Sequence, residues 1–117
     1  MRYLCLIYLN EDEMGALPAD EMHRLNVGHL ELNEELRASG HLIEAEALQP
    51  GAAAVTIRPR ASRTTVVDGP FTEAKELVAG FYLIEAADRE EAIAIASRFP
   101  GAQHGAVEIR EVRPLLV

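Results

Sequence analysis

The sequence contains a single cysteine, Cys5, and no long uninterrupted hydrophobic run. One cysteine excludes a disulfide within the chain and is typical of proteins from a reducing compartment. No run approaches the roughly 20 apolar residues that a membrane-spanning helix needs. The apolar N-terminal segment passes directly into acidic residues, without the small-residue cleavage site of a signal peptide. These absences predict a cytoplasmic protein that does not enter a membrane.

Basic residues are also scarce, since 11 Lys and Arg stand against 19 Asp and Glu and give a formal net charge of −8. Residues 1–50 hold ten of the acids and three of the bases, whereas residues 51–117 hold nine and eight. The one basic cluster consists of Arg58, Arg60 and Arg63. Nucleic-acid binding requires a basic surface against the phosphates. We therefore predict that the protein has no nucleic-acid partner.

Motifs for cofactors are missing as well. The chain has no phosphate-binding loop, no dinucleotide-binding glycine pattern and no nucleophile-elbow serine. His23 and His29 are six residues apart and do not share a helix face, and His41 and His104 have no partner at a usual ligand spacing. We predict neither a metal ion nor a nucleotide cofactor.

Hydrophobic residues make up 49% of the 117 residues, which is enough for one core and predicts a single domain over residues 1–117. Hydrophobic periodicity and turn signals predict two helices, residues 18–39 and a second that Asp88 caps and Pro100 ends. They also predict six strands, over residues 2–9, 41–48, 53–57, 64–67, 77–85 and 107–112. This order is the ferredoxin-like split βαβ pattern with an inserted hairpin, an α+β fold.

Two of the predicted strands, within residues 3–9 and 78–84, are apolar on both faces. In a ferredoxin-like fold the helices cover only one face of the sheet, so a second cover is needed. The simplest cover is a second copy of the same sheet, which predicts a homodimer with its sheets face to face. The alternative is a monomer whose C-terminal residues 115–117 fold back over that face.

His29 occupies the middle of a helical stripe that is otherwise apolar, formed by Met22, Leu25, Leu32 and Leu36. Two interpretations are open. The histidine is either a buried neutral imidazole hydrogen-bonded to backbone, or a general acid/base whose ordinary pKa suits proton transfer in both directions near neutral pH. The second role requires an acid that orients the ring.

Asp68 is the candidate acid, because the turn Asp68-Gly69-Pro70 would hold its carboxylate rigidly. The same residues are also ordinary turn formers, which is the alternative explanation. If the two residues form a catalytic pair, they should lie within hydrogen-bond reach or be bridged by one water beside a pocket. Three aromatic residues, Tyr8, Phe71 and Tyr82, are further candidates for contacts with a substrate.

One stretch resembles a known family signature. Residues 68–73, with the sequence DGPFTE, are followed by Lys75-Glu76 and by residues 80–84, and together they resemble the DGPF signature of YCII-related proteins. The opening strand, the helix around His29 and the segment from Pro100 to Arg110 are similar to the same family, so the resemblance spans nearly the whole chain. It implies a ferredoxin-like fold that pairs as a dimeric α/β barrel.

The resemblance also implies two functions. One is a cofactor-free lyase or isomerase acting on a small organic molecule through a His-Asp pair, in which His29 matches the histidine. In the family pattern the acid lies two residues before the glycine that ends the first helix; this chain has Ala38 there, and Asp68 replaces it on chemical grounds. The alternative is a small-molecule-binding or protein-interaction module linked to extracytoplasmic-function sigma factors, with which DGPF proteins often occur.

Overall fold

A computed structural model describes residues 1–116, and its mixture of helices and antiparallel sheets confirms the predicted α+β class. Its helices are α1 (Glu11–Gly15), α2 (Ala19–Ala38) and α3 (Arg89–Ala96), with short 3₁₀ turns at Gly51–Ala53 and Pro100–His104. Its strands are β1 (Arg2–Asn10), β2 (Leu42–Ala47), β3 (Val55–Arg58), β4 (Thr65–Asp68), β5 (Glu76–Glu85) and β6 (Gly105–Glu111). Within these residues no helix is long and apolar enough to cross a membrane.

The main sheet contains four antiparallel strands in the order β2-β5-β1-β6, and β3 and β4 form a separate two-stranded sheet. All predicted elements are present, with ends shifted by a few residues. Helix α1 was not predicted, since its acidic sequence resembles a turn. It forms because the Asn10 side chain accepts a hydrogen bond from the Glu13 backbone N–H at 3.0 Å and caps the helix.

The boundaries of the two longer helices follow the sequence signals. Pro18 precedes α2, and Gly40 stands just past its end with a φ of 81°, a conformation that favours glycine. The Asp88 carboxylate caps α3 by accepting from the Glu91 N–H at 2.9 Å. Both helices pack on the same face of the main sheet. The buried core between them includes Cys5, Leu32, Leu36, Tyr82, Ile84, Ala92, Ile95 and Phe99.

A glycine inside a strand predicts a bulge or a close approach to the backbone, and at Gly80 in β5 the structure shows both. The β1–β5 register shifts at Ile7/Tyr8, directly beside Gly80. A Cβ atom on Gly80 would lie 2.8 Å from the backbone oxygen of Glu46. Glycine is therefore needed here for β2 to pair with β5.

The other face of the main sheet carries a band of apolar cross-strand pairs, which we call the helix-free face. Leu4 pairs with Leu83, Leu6 with Phe81 and Tyr8 with Val78, and all six residues are only partly buried. No helix of residues 1–116 packs on this face. Leu115 and Leu116 are 81% and 93% exposed, so these two residues do not fold back over it. Val117, the third residue of that alternative, lies outside the described residues.

Strands β3 and β4 and the loop between them form a hairpin that we call the arm. Val55 and Asp68 pair on one of its faces, beside the pair Ile57–Val66. The aliphatic side chains of that face are all more than half exposed. The radius of gyration is 16.2 Å, against about 13 Å for a compact chain of this length. The arm therefore stands away from the body.

Candidate functional site

A cavity of about 470 Å³ lies between α2 and the main sheet. On β2 and β5 the wall includes four small residues, Ala45, Ala47, Ala79 and Gly80, which leave volume that larger side chains would fill. On α2, Leu32 and Leu36 are buried against the core, whereas Met22 and Leu25 nearer the N-terminus are only half-buried and line the cavity. The cavity follows from small residues on the strands opposite the first half of the helix.

His29 lies in the wall of this cavity, on the face of α2 that the apolar stripe predicts. Its Nδ1 atom is 2.7 Å from the Tyr82 hydroxyl oxygen. Its Nε2 atom accepts a hydrogen bond of 3.0 Å from the backbone N–H of Gly101. Both ring nitrogens are therefore bonded within the protein.

Two glycines allow α2 and the 3₁₀ turn Pro100–His104 to pack closely against each other. A Cβ atom on Gly28 would lie 3.1 Å from the Pro100 ring, and one on Gly101 would lie 3.1 Å from His29 Nε2. Both distances are tighter than ordinary van der Waals contact. Glycine at these positions lets α2 approach the 3₁₀ turn Pro100–His104 closely enough for the histidine to reach backbone.

The Gly101 bond determines which nitrogen of His29 carries the proton. A backbone N–H only donates, so Nε2 must offer its lone pair to it. In a neutral imidazole the proton is then on Nδ1, and Nδ1–H donates to the Tyr82 oxygen. Hydrogen bonds run in one direction, from Gly101 to His29 and from His29 to Tyr82.

The environment keeps His29 neutral. Burial lowers the pKa of its imidazole below the ordinary value of 6.5, since a buried cation loses its hydration. Protonation would also place a hydrogen on Nε2, facing the Gly101 N–H, and would break that bond. A neutral imidazole hydrogen-bonded to backbone is one of the two interpretations that the sequence left open.

Tyr82 accepts the hydrogen bond from His29 and keeps its own hydroxyl proton. Its ring is buried, stacked on Phe99 with ring centroids 4.0 Å apart. Burial raises the pKa of its hydroxyl to about 12, so the phenol is protonated at neutral pH. Because its oxygen already accepts from His29, the Tyr82 O–H is free to donate, and the residue lines the cavity.

Asn33, one helical turn after His29 on α2, is another polar residue of the cavity wall, which also includes Asn26 and Glu46. Its Oδ1 atom is buried and has no hydrogen-bond partner within residues 1–116. A buried carbonyl without a donor is costly, which makes this atom unusual for a folded protein. It is the one such side-chain atom among the described residues.

Asp68 lies elsewhere, at the end of β4 in the arm, where it is exposed. In the part of the chain that the structure describes it forms no hydrogen bond or ion pair with His29, whose ring nitrogens bond Tyr82 and Gly101. Gly69, with a φ of 107°, shapes the turn after it, in agreement with the turn-forming explanation of this motif. The orienting contact predicted for Asp68 is thus not present within one chain.

The three aromatic candidates are also separated. Tyr82 is at the cavity, whereas Tyr8 lies on the helix-free face, where its hydroxyl is 3.2 Å from Glu108 Oε1. Phe71 is 68% exposed beyond the arm, with the Arg58 guanidinium 4.7 Å from its ring centroid. Only Tyr82 and His29 of the predicted residues come together. Among residues 1–116 no three His, Cys, Asp or Glu side chains are grouped to hold a metal ion.

Sequence reasoning missed Asn33 and Gly101. Asn33 follows His29 by four residues and therefore shares its helix face, a spacing that could have identified it. Gly101 has no comparable signal, because its role depends on where the turn after α3 meets α2.

Comparison with known proteins assigns the chain to a family. The family model for the YCII-related domain matches residues 1–116. A protein of Rhizobium meliloti (strain 1021), described as uncharacterised, is 36% identical over 115 residues, which cover 98% of this chain and 92% of that protein. The chain belongs to the YCII-related domain family, as the DGPF resemblance implies.

Proposed function

We propose that the protein is a cofactor-free acid/base enzyme that acts on a small organic molecule in the cavity beneath α2. The observation that carries the proposal is the chain of hydrogen bonds from Gly101 through His29 to Tyr82, which ends at the cavity. A lyase or isomerase of this kind works by stabilising negative charge on a substrate oxygen. Tyr82 supplies the donor, and His29 strengthens it by donating to the same hydroxyl oxygen.

Each residue has a distinct role in this proposal. Tyr82 O–H donates to a carbonyl oxygen of the substrate, which favours loss of a proton from the adjacent carbon. As negative charge grows on that oxygen, the Tyr82 bond shortens and the His29 Nδ1–H supports the partial charge on the phenol. His29 is thus a positioning residue and not the base, because its Nε2 lone pair is occupied by Gly101. Solvent water accepts the proton from carbon.

Exchange of carbon-bound hydrogen tests this proposal. Acetophenone in D2O exchanges its methyl hydrogens through an enolate, and proton NMR follows the loss of the methyl signal. Wild-type protein is expected to accelerate the exchange above the buffer rate, and Tyr82→Phe to lose most of that acceleration. His23→Gln, which changes an exposed histidine on α2 outside the cavity, should behave as wild type. A wild-type rate equal to that of Tyr82→Phe would contradict the acid/base role.

The second candidate is a small-molecule-binding module without turnover. It is favoured by one observation: both nitrogens of His29 are already bonded, so the polar groups of the cavity wall include no free histidine base. Saturable ligand binding without deuterium exchange would support this candidate over the enzyme.

We also propose that the domain is ferredoxin-like and pairs with a second copy as a dimeric α/β barrel. The antiparallel order β2-β5-β1-β6, with the helices on one face, supports the first point. The apolar band of the helix-free face supports the second. On that face Glu44 and Glu46 extend along the β2 edge, while Arg110 lies on the β6 edge at the level of Leu4 and forms an ion pair with Glu108.

A second copy is the cover that we propose, because it would bring an identical apolar band to this face. A two-fold axis parallel to the strands would place the two bands face to face. The arm adds a further apolar surface, since its aliphatic side chains are exposed. An isolated two-stranded ribbon is only marginally stable in water, so contact with a partner would stabilise the arm. The end of β3 and the loop after it are basic, with Arg58, Arg60 and Arg63, whereas the chain as a whole is acidic.

A further inference from the structure

We propose that Ser39 is a nucleophile that takes up an acyl group from activated acyl donors such as aryl esters. His41 is its general base, and Glu91 is the acid that orients the histidine. Ser39 directly follows α2, His41 directly precedes β2 and Glu91 lies in the first turn of α3. None of the three lines the cavity beneath α2, so this site is independent of the proposed function.

The three side chains form a continuous row of hydrogen-bonding groups. The Ser39 Oγ atom is 2.7 Å from His41 Nδ1, and His41 Nε2 is 3.2 Å from Glu91 Oε1. Ser39 is exposed, so a molecule in solution reaches its hydroxyl directly. A nucleophile within hydrogen-bond reach of a base, which a third group orients, is the arrangement that activates serine on unrelated folds.

The directions of these hydrogen bonds follow from Glu91. A carboxylate only accepts, so the hydrogen between the two side chains is on His41 Nε2. A neutral imidazole then has its lone pair on Nδ1, and the Ser39 O–H donates to it. Ser39 Oγ also lies 3.1 Å from the Leu36 carbonyl oxygen, but the single hydroxyl hydrogen is needed at the shorter contact, where two lone pairs would otherwise face each other. The hydroxyl hydrogen thus points at the nitrogen that would take it.

Glu91 is held in place by the start of α3. Its N–H donates to the Asp88 carboxylate at 2.9 Å, and its Oε1 atom accepts from the Ala87 N–H at 3.0 Å. The negative charge of Glu91 stabilises the imidazolium that forms when His41 takes the serine proton. Glu91 is therefore a positioning residue that acts through His41.

The proposed step needs no co-reactant beyond the acyl donor. Ser39 Oγ forms a bond to the carbonyl carbon of the ester as its proton passes to His41 Nδ1. The bond from that carbon to the aryl oxygen then breaks, the phenolate leaves with the electron pair, and His41 returns its proton to the phenolate or to water. The products are an ester of Ser39 and a free phenol.

The surroundings of Ser39 limit the donors to reactive ones. The backbone N–H groups of residues 39–41 already donate to carbonyl oxygens of residues 35–37. They are therefore not available to stabilise the oxyanion of a tetrahedral intermediate. Only an acyl donor with a good leaving group should react at this site.

Ser97 is a matched control within the same chain. Ser39 and Ser97 are both exposed residues at the C-terminal cap of a helix. The Ser97 hydroxyl donates to the Ile93 carbonyl oxygen at 2.7 Å, a contact similar to the one between Ser39 and Leu36. Of these two serines, Ser39 is the one that bonds a histidine.

Acetylation by p-nitrophenyl acetate tests the proposal. Absorbance follows the released phenolate, and peptide mass spectrometry after an acid quench measures the acetyl group on each serine. Ser39 should be acetylated at least about tenfold faster than Ser97, below the usual contribution of a general base of about 10²–10⁴-fold because no donor stabilises the oxyanion. Equal rates at the two serines would overturn the proposal.

Variants of the two supporting residues assign their roles. His41→Asn keeps a hydrogen-bonding group beside Ser39 but removes the base, so Ser39 should then react no faster than Ser97. Glu91→Gln should slow Ser39 severalfold and leave Ser97 unchanged, whereas a mere disturbance of α3 would change Ser97, at the end of the same helix, as well. Wild-type reactivity of Ser39 in His41→Asn would refute the role of the histidine.

Two further proteins complete the experiment. His23→Gln, with its exposed histidine elsewhere on α2, should acetylate Ser39 at the wild-type rate. Ser39→Ala should lose the fast phenolate release but retain any hydrogen exchange that the cavity catalyses. The two proposals can therefore fail separately. Fast phenolate release that persists in Ser39→Ala would show that another group is the nucleophile.

Discussion

The hydroxyl of Tyr82 accepts a hydrogen bond from His29 Nδ1 across 2.7 Å, and the direction of that bond is set by a third residue. Because the Gly101 N–H donates to Nε2, the neutral imidazole carries its hydrogen on Nδ1 and donates it in a hydrogen bond to the tyrosine oxygen. The polar group that this chain of hydrogen bonds offers to the cavity is therefore the phenol. His29, for which the sequence leaves open both a buried neutral imidazole and an acid/base catalyst, is thus placed to orient the Tyr82 hydroxyl.

The tautomer of His29 is the most direct prediction. In the nitrogen NMR spectrum of the imidazole ring, Nδ1 should show the shift of a protonated nitrogen and Nε2 that of an unprotonated one at neutral pH. Gly101→Ala should disturb this pattern, because its Cβ would lie 3.1 Å from Nε2. Observation of a proton on Nε2 in the wild type would refute the hydrogen-bond direction and the role assigned to Tyr82.

The stability of the protein should depend on pH through His29. Folding lowers the pKa of His29. Between the folded pKa and about pH 6.5, the unfolded chain therefore binds more protons than the folded protein. The contribution of His29 to the free energy of unfolding is complete above about pH 6.5. It is lost as the pH falls from there to the folded pKa, by at most about 1.4 kcal/mol per pH unit. Urea unfolding of wild type and His29→Gln at several pH values measures the difference.

A matched control separates His29 from the other titrating groups. His23→Gln should retain the pH dependence of the wild type, since His23 is exposed. In His29→Gln the slope between about pH 6.5 and the folded pKa should be smaller. Equal slopes in all three proteins would show that His29 binds its proton equally well in the folded and unfolded chains.

Core packing predicts large losses at two buried positions. Leu32 in α2 and Ile95 in α3 are each 6% exposed, so Leu32→Ala and Ile95→Ala should lower the free energy of unfolding by about 2–4 kcal/mol. Leu30→Ala is the control within α2, because Leu30 is 65% exposed, and its effect should stay within about 0.5 kcal/mol. A Leu32→Ala midpoint equal to that of Leu30→Ala would mean that the buried face of α2 is wrongly assigned.

The proposed homodimer predicts twice the 12.8 kDa mass of one chain in light scattering at micromolar concentration. An interface of this type should bury more than about 1,000 Å² in total. Leu6→Ser on the helix-free face and Ile57→Ser on the arm should shift the protein towards the monomer, because each removes apolar contact area. Ile93→Ser replaces an exposed aliphatic residue of α3 on the opposite side and should leave the dimer intact. A wild-type mass of 12.8 kDa would disprove the dimer.

The sequence by itself determined the six strands, the two longer helices and their order. Alternating and 3.6-residue periodicities predict the strands and the two long helices, and local caps such as Asp88 and Gly40 define the helix ends, since these signals depend on neighbouring residues alone. The DGPF resemblance correctly predicted the family. The stripe on α2 also placed His29 on the buried side of its helix.

Only the tertiary structure decided what His29 contacts. Its partners Tyr82 and Gly101 lie 53 and 72 residues away along the chain, on β5 and on the turn after α3. Local patterns indicated Asp68 because a rigid turn holds its carboxylate, but the hairpin that ends in Asp68 projects away from the body as the arm. A pairing between distant residues depends on how the layers pack and on where glycine permits close approach, so no local periodicity could predict it.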